Sequence, residues 1–140
     1  MKLNASKKKV ILVDMSATLI HHGHIRLLKK ASKLGEVIVA LTTDKEIIKN
    51  KGYTPELNFN ERREVLESIR YVKEVLPAPW LLDMDFFKST GADLLVHGDD
   101  NSNLIDKKFI IEFKRTKGIS SSQIRTRVVK AILEKAGINK

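Results

Sequence analysis

The stretch VILVD, residues 10–14, is followed after a short turn by HHGHIRLLKKASKL, residues 21–34. The first run is apolar and rich in β-branched residues, which is typical of a buried strand. In the second stretch, apolar residues from Ile25 to Leu34 recur at helical spacing, with basic residues between them. We therefore predict a strand, a turn, and a helix that begins near His21.

Two histidines stand at the predicted start of this helix. His21 and His24 are three residues apart, so both imidazoles project from the same side of the helix. Backbone N–H groups at a helix N-terminus lack intrahelical acceptors and favour an anion. Gly23 has no side chain, so a ligand can approach its backbone. The pattern favours a phosphate-binding corner, but the spacing is equally compatible with a metal-binding pair or two surface histidines.

The length and composition indicate one domain without disulfides. The chain has 140 residues, enough to bury a core, and we expect a single domain over residues 1–140 with a disordered basic tail at residues 1–8. Cysteine is absent, which excludes disulfides, thiol chemistry and Cys-ligated zinc. The basic N-terminal residues contain no long apolar run, so we expect a cytoplasmic protein that does not bind a membrane.

The charge indicates an anionic ligand. The formal net charge is +9, but basic residues alternate with acidic ones along the chain and aromatic residues make up only 6%. This distribution favours a nucleotide or another small polyanion over a nucleic-acid polymer.

The rest of the chain alternates apolar runs with helical patterns. We predict helices at 45–49, after a capping box at Asn58 and Glu61, at 83–90, and after Ser120. Gly35 is predicted as the C-cap of the first helix, and Pro77 as the end of the third strand. The last helix carries an apolar stripe of Ile124, Val128, Ile132 and Ala136. Further strands are predicted at 37–41, 74–76, 94–96 and 109–113. This alternation predicts an α/β fold with a doubly wound, parallel, five-stranded sheet.

Ligands bind at the carboxyl ends of the strands in such sheets. Polar residues that follow the strands, or that open the first and last helices, are therefore candidate site residues. They are Asp14, His21, His24, Thr42, Asp44, His97, Asp99, Asp100, Arg115, Ser120, Ser121 and Ser122.

Some of the candidates have more than one interpretation. Asp99 and Asp100 fit a bound cation such as Mg²⁺, a ribose, or an ordinary acidic turn after a strand. Trp80 is compatible with core packing or with a flat face for a cationic ligand. Lys49 and Lys51 are either solvated charges or clamps over a phosphate.

Two motifs resemble signatures of the cytidylyltransferase family. His21-His22-Gly23-His24 matches its HxGH signature, and Arg115-Thr116-Lys117-Gly118-Ile119-Ser120-Ser121-Ser122 matches its RTxGISTS-type signature. The resemblance extends from Val10 to about Ile132. It includes Asp14, Lys51-Gly52-Tyr53, Asn60-Glu61-Arg62, Arg70-Tyr71-Val72, Glu74-Val75, Ala78-Pro79-Trp80 and His97-Gly98-Asp99-Asp100. The middle segment is most similar to choline-phosphate and ethanolamine-phosphate cytidylyltransferases, and the compact length to glycerol-3-phosphate cytidylyltransferases.

The resemblance implies a Rossmann-like nucleotidyltransferase fold and a reaction. CTP and a small phosphorylated alcohol or phosphonate would give a CDP-alcohol and pyrophosphate, with Mg²⁺ held by the triphosphate. The family also implies a homodimer. Two alternatives remain: an ATP-using adenylyltransferase of the same superfamily, and a non-catalytic module that binds nucleotide or nucleic acid.

The resemblance also implies roles for individual residues. The catalytic residues would be His21, His24, Lys51 and Arg115. The nucleotide would contact Gly23, Asp99, Arg115, Thr116, Ile119, Ser120, Ser121 and Ser122. The acceptor would contact Asp14, Lys51, Arg70, Trp80 and Asp99. A cradle of Asp14, Trp80 and Asp99 for an ammonium group favours phosphoethanolamine, phosphocholine or an aminoalkyl phosphonate over glycerol 3-phosphate.

One position departs from the family pattern. The family usually has an Asp three residues before the first histidine of the HxGH motif, and this chain has Thr18. The change supports the non-catalytic alternative and puts metal placement and acceptor choice in question. The intact His21, His24, Lys51 and Arg115 support an enzyme.

Overall fold

Five parallel strands form one sheet in the computed structural model, which describes residues 8–98 and 102–138. Their order across the sheet is β3-β2-β1-β4-β5. The strands are β1 (Val10–Met15), β2 (Glu36–Thr42), β3 (Val72–Ala78), β4 (Leu94–Gly98) and β5 (Ile110–Phe113). The predicted parallel, five-stranded α/β sheet is confirmed.

Helices connect these strands. They are α1 (His22–Ser32), α2 (Asp44–Lys51), α3 (Phe59–Glu67), α4 (Met84–Ser89) and α5 (Ser121–Lys135), with one 3-10 turn at Lys107–Phe109. The capping box predicted at Asn58 and Glu61 opens α3, with reciprocal hydrogen bonds of 2.9 Å. Among the described helices, none is both long and apolar enough to cross a bilayer. Of the predicted tail, residues 1–7 lie outside the described residues.

The sheet has a core on each face because successive side chains of a strand point in opposite directions. Ile11 and Val13 of β1 pack on one face with Leu28 of α1 and Leu66 of α3. Leu12 lies in the cluster on the other face, which also contains Leu82, Phe87 of α4 and Leu95. The central strands are therefore buried on both faces, as expected for a parallel sheet covered by helices.

The chain reverses its direction across the sheet next to β1. It runs from β1 outward to β2 and β3, and then returns to β4 and β5 on the other side of β1. The connections after β1 and β4 consequently diverge at the carboxyl ends of these neighbouring strands, which opens a crevice there.

Two predictions about the ends of elements were wrong. Helix α1 is capped by Lys33, and Gly35 instead lies where an added Cβ would be 2.2 Å from the Lys9 carbonyl oxygen. Gly35 is thus required for a close approach of two backbone segments. Pro77 lies within β3 rather than after it, which is possible because β3 is an edge strand.

The last helix forms as predicted, but its apolar stripe is not buried. Ser120 is the N-cap of α5 and accepts a hydrogen bond from the Gln123 N–H at 3.1 Å. Val128 and Ile132 are 50% and 61% exposed, and α5 has no buried residue. Helical periodicity predicted the helix correctly, but it did not determine how much of the stripe the fold covers.

Candidate active site

A cavity of about 400 Å³ lies at the carboxyl ends of the strands, where β1 and β4 diverge. The starts of α1 and α5 border it, and so do the ends of α2 and β5. Most of the site residues expected from the sequence line this one cavity. They are Asp14, His21, Gly23, His24, Thr42, Lys51, Trp80, His97, Arg115, Thr116, Ile119, Ser120, Ser121 and Ser122.

Two of the expected residues, Arg70 and Asp44, do not line this cavity, and two others lie outside the described residues. Arg70 is exposed just before β3, at the amino end of the sheet, and donates to the Tyr71 hydroxyl at 3.1 Å. The prediction that Arg70 contacts a ligand in the cavity of the same chain is therefore wrong. Asp44 is used elsewhere, since it accepts a hydrogen bond from Arg62 at 2.6 Å. Asp99 lies outside the described residues, as does Asp100.

The two histidines cap the helix that they open. His21 is the N-cap of α1, and its Nδ1 accepts from the Gly23 N–H at 3.1 Å. The Nδ1 of His24 accepts from the His21 N–H at 3.1 Å, and the ring centroids are 4.0 Å apart. The expectation that the backbone N–H groups at this helix start are open to an anion was therefore wrong for His21 and Gly23, because the imidazoles accept from both.

Gly23 lies close to the side chains of His21 and Ile119. An added Cβ would lie 2.9 Å from Cε1 of His21 and 3.3 Å from Cγ2 of Ile119. The missing side chain thus makes room for the His21 ring. Gly23 also lines the cavity, and its contact with a ligand stays a prediction.

Burial keeps both imidazoles neutral. Desolvation, assisted by the charges of His21 and Arg115, lowers the pKa of His24 to about 3. Desolvation also lowers the pKa of His21, with smaller contributions from His22 and Arg115. A neutral imidazole whose Nδ1 accepts a hydrogen bond carries its proton on Nε2. Each ring therefore has an Nε2–H donor, the group that an oxyanion requires.

The start of α5 borders the same cavity. Ser121 Oγ donates to the Leu19 carbonyl oxygen at 3.1 Å and accepts from the Leu19 N–H at 3.3 Å, which ties α5 to the loop before His21. The first N–H groups of a helix have no intrahelical acceptor and carry partial positive charge. Together with the exposed guanidinium of Arg115, they form a surface suited to phosphate oxygens.

The wall formed by β1 and β4 carries a carboxylate. Asp14 Oδ2 accepts from Asn103 Nδ2 at 2.7 Å, and Oδ1 is hydrogen-bonded to His97 Nδ1. The Asp14 side chain is 12% exposed. Asn103 was missed by the sequence analysis because it lies in a loop without a motif.

An aromatic ring and a lysine lie beside each other at the cavity. Lys51 Nζ is 5.7 Å from the centroid of the Trp80 ring. The backbone N–H of Trp80 donates to Glu46 Oε1 at 2.8 Å. Since Glu46 and Lys51 both belong to α2, this helix positions Lys51 and Trp80. Trp80 therefore lines the cavity instead of filling the core.

A buried arginine holds the loops beneath the cavity. Arg62 of α3 is completely buried and donates to the carbonyl oxygens of Ser16 at 2.6 Å, Thr42 at 2.9 Å and Leu57 at 3.0 Å. The sequence analysis did not identify this role. The available signal was its spacing, since Arg62 lies four residues before the buried Leu66 on the same helix face.

Thr18, the departure from the family pattern, has its own partner. It is 1% exposed, and its Oγ1 accepts from Arg125 Nη2 at 2.8 Å. Ala17 before it has a φ of +46°, a conformation that is uncommon for residues other than glycine. Both features belong to the turn that leads into the histidine motif.

Comparisons with known proteins identify the family of this chain. The cytidylyltransferase-like family model matches residues 16–127. Glycerol-3-phosphate cytidylyltransferase of Staphylococcus aureus is 39% identical, and the match covers 76% of this chain and 85% of that protein. Ethanolamine-phosphate cytidylyltransferase of Dictyostelium discoideum is 33% identical over 92% of this chain. This chain spans only 39% of the length of that second relative.

A solved structure shares the fold. The lipopolysaccharide core biosynthesis protein from Thermoplasma volcanium GSS1 superposes with a TM-score of 0.60, covering 89% of this chain and 88% of that chain at 18% identity. The family match spans both the histidine motif and the start of α5, which border one cavity. The chain belongs to the cytidylyltransferase-like family of nucleotidyltransferases.

Proposed function

We propose that this protein transfers CMP from CTP to a small phosphorylated amino alcohol or aminoalkyl phosphonate and releases pyrophosphate. The observation that carries the proposal is the arrangement around one cavity: two neutral imidazoles with Nε2–H donors, Arg115 and the start of α5. The names of the relatives support the reaction class, since they include ethanolamine-phosphate and glycerol-3-phosphate cytidylyltransferases.

The transfer needs no nucleophilic side chain. An oxygen of the acceptor phosphate attacks the α-phosphorus of CTP and forms a new P–O bond. The bond from the α-phosphorus to the oxygen bridging it to the β-phosphorus breaks, and the electron pair leaves with pyrophosphate. In this proposal, the imidazole Nε2–H groups of His21 and His24 and the ammonium of Lys51 stabilise the charge that develops, and Arg115 and the start of α5 hold the leaving phosphates.

We take Mg²⁺ to enter the site bound to the triphosphate, as part of the substrate. Within residues 8–98 and 102–138, no group of three or more His, Asp or Glu side chains is close enough together to hold a metal ion. We assign no step to a metal held by the protein.

The preference for an amino acceptor rests on Asp14 and Trp80. A largely buried carboxylate attracts an ammonium group, and an aromatic face adds a cation–π interaction. Glycerol 3-phosphate has no ammonium group and can make neither of these interactions. Lys51, beside Trp80, would then contact the phosphate at the other end of the acceptor.

Pyrophosphate release tests this proposal. We would combine CTP or ATP, each with Mg²⁺, with phosphoethanolamine, phosphocholine, 2-aminoethylphosphonate or glycerol 3-phosphate. We expect turnover with CTP and one of the amino acceptors. Turnover with ATP alone would overturn the choice of nucleotide, and turnover with glycerol 3-phosphate alone would overturn the choice of acceptor.

Asp14→Asn is the matched variant for acceptor recognition. It keeps the shape of the side chain but removes the charge, so KM for the amino acceptor should rise while KM for CTP stays the same. An equal loss with glycerol 3-phosphate would show that Asp14 does not recognise the ammonium group.

A further inference from the structure

Arg125 of α5 joins three separate parts of the chain. Its Nη2 donates to Thr18 Oγ1 and to Glu56 Oε1, each at 2.8 Å, and its Nε donates to Glu56 Oε2. Its guanidinium carbon lies 4.4 Å from the centroid of the Tyr53 ring. A guanidinium can hydrogen-bond in its plane and stack through its face at the same time, which lysine cannot do.

Two of the parts that Arg125 joins border the cavity, and the third directly follows a residue that lines it. Tyr53 and Glu56 belong to the segment 52–57, which directly follows Lys51, the last residue of α2. Gly52 is the C-cap of that helix and has a φ of +78°. Thr18 belongs to the turn before His21, and α5 itself begins at the serines that line the cavity.

We propose that Arg125 is a positioning residue that fastens segment 52–57 to α5 and to the Thr18 turn, and so holds Lys51 at the cavity for the transfer step. This inference rests on the proposed function, since the role of Lys51 belongs to it. Arg125 does not line the cavity, so it acts through the segment that it holds.

The residue at position 18 determines how Arg125 divides its hydrogen bonds and its charge between the Thr18 turn and Glu56. A threonine hydroxyl accepts one hydrogen bond without charge, which leaves the charge of Arg125 to Glu56. The hydrogen bond from Arg125 holds the pKa of the Glu56 carboxyl below its usual range, so the pair is ionised at neutral pH.

A purely structural ion pair would behave differently. The Glu56 side chain is 42% exposed, and exposed ion pairs contribute about 0–1 kcal/mol to stability. Their loss leaves kcat nearly unchanged. A displaced catalytic group, by contrast, lowers kcat by about 10- to 100-fold.

The experiment compares Arg125→Met, Arg125→Lys and a control, Lys130→Met, which removes an exposed charge from the same helix. Hydrogen exchange of residues 52–57 and steady-state kinetics are measured for each. In Arg125→Met we expect faster exchange in 52–57 and a kcat lower by about 10- to 100-fold. KM for CTP should change little, and Arg125→Lys should restore part of kcat. Lys130→Met should match the wild type.

A double variant tests whether Arg125 acts through Lys51. In the Lys51→Ala background, Arg125→Met should lower kcat by less than about twofold, because the group that it positions is already absent. A full additional loss would overturn the positioning role, and so would faster exchange with an unchanged kcat.

Failure of the proposed function is a separate outcome. It would appear as an inactive wild type, which would also remove the catalytic purpose of the arrangement. Hydrogen exchange would still decide whether Arg125 fastens the segment, and unchanged exchange in Arg125→Met would overturn that fastening.

Discussion

Helices α1 and α5 both begin at the cavity, but they are attached to the molecule in different ways. Helix α1 buries Leu28 and Ala31 in the core beside the sheet. Helix α5 has no buried residue, and polar contacts of Ser121 and Arg125 join it to the cavity loops. Segments with few buried apolar contacts open at a lower free-energy cost. The histidine wall is therefore the rigid side of the site, and the position of α5 depends on hydrogen bonds.

The two helix starts also offer phosphate different donors. At α1, imidazoles cover the backbone N–H groups of His21 and Gly23, so the available donors are ring Nε2–H groups. At α5, the hydroxyl of Ser120 caps the helix, and the first residues of the helix line the cavity together with Arg115. Similar helix starts thus become different binding surfaces because different residue types cap them.

The largest effect is expected from a substitution at the start of α1. His24→Ala removes one Nε2–H donor and the acceptor for the His21 N–H, so kcat should fall by about 10²–10³-fold with the fold intact. Pyrophosphate release measures kcat, and circular dichroism verifies folding. His22→Ala is the matched control, because His22 is an exposed neighbour that does not line the cavity. A near-wild-type kcat for folded His24→Ala would remove this residue from the chemistry.

The next prediction concerns pH and tests the burial of His24 on the α1 side. Unfolded His24 binds a proton below its ordinary pKa of 6.5, whereas burial lowers the pKa of the folded residue to about 3. Between these two pKa values the unfolded chain binds more protons than the folded chain. The contribution of neutral His24 to the free energy of unfolding is therefore complete above pH 6.5 and is lost as the pH falls toward 3.

Urea unfolding at several pH values measures this effect. The wild type should lose stability more steeply than His24→Gln between pH 6.5 and 4.5, because titrating carboxylates contribute equally to both proteins. If the free energy of unfolding changed with pH in the same way for both proteins, the neutral imidazole of His24 would not contribute to the pH dependence of stability.

The smallest expected effect falls on the α5 side. Ser120→Ala removes the hydroxyl that caps α5 and should cost about 1 kcal/mol of stability, measured by urea unfolding. Ser120→Asp keeps a capping oxygen but adds a negative charge beside the phosphate surface. Its stability should match that of the wild type, while KM for CTP rises. An unchanged KM in Ser120→Asp would show that the start of α5 does not bind the triphosphate.

Local patterns predicted most of the architecture. The apolar runs of β1, β2 and β4 are buried strands, and the capping residues Asn58 and Ser120 open α3 and α5 as expected. Periodicity and capping act within a few residues, so they can be read directly along the chain. The rule that ligands bind at the carboxyl ends of parallel strands then predicted which side chains share a cavity.

The missed features depend on contacts between distant residues. Arg62 belongs to an amphipathic helix, but its hydrogen-bond acceptors lie in loops after β1 and β2. In the sequence, Arg125 is one of several basic residues of the last helix, but its hydrogen-bond partners are 69 and 107 residues away along the chain. Arg70 was expected at the cavity, but its place before β3 puts it at the opposite end of the sheet.

By itself, the sequence determined the alternation of strands and helices, the parallel sheet, and the gathering of the histidine and serine motifs at one end of that sheet. Only the tertiary structure decided how those groups are used: that imidazoles close the start of α1, that Gly23 makes room for a ring, and that Arg125 links α5 to segment 52–57. The physical reason is that periodicity and capping depend on neighbours in the chain. Protonation, hydrogen-bond partners and burial depend on groups that only folding brings within a few ångströms.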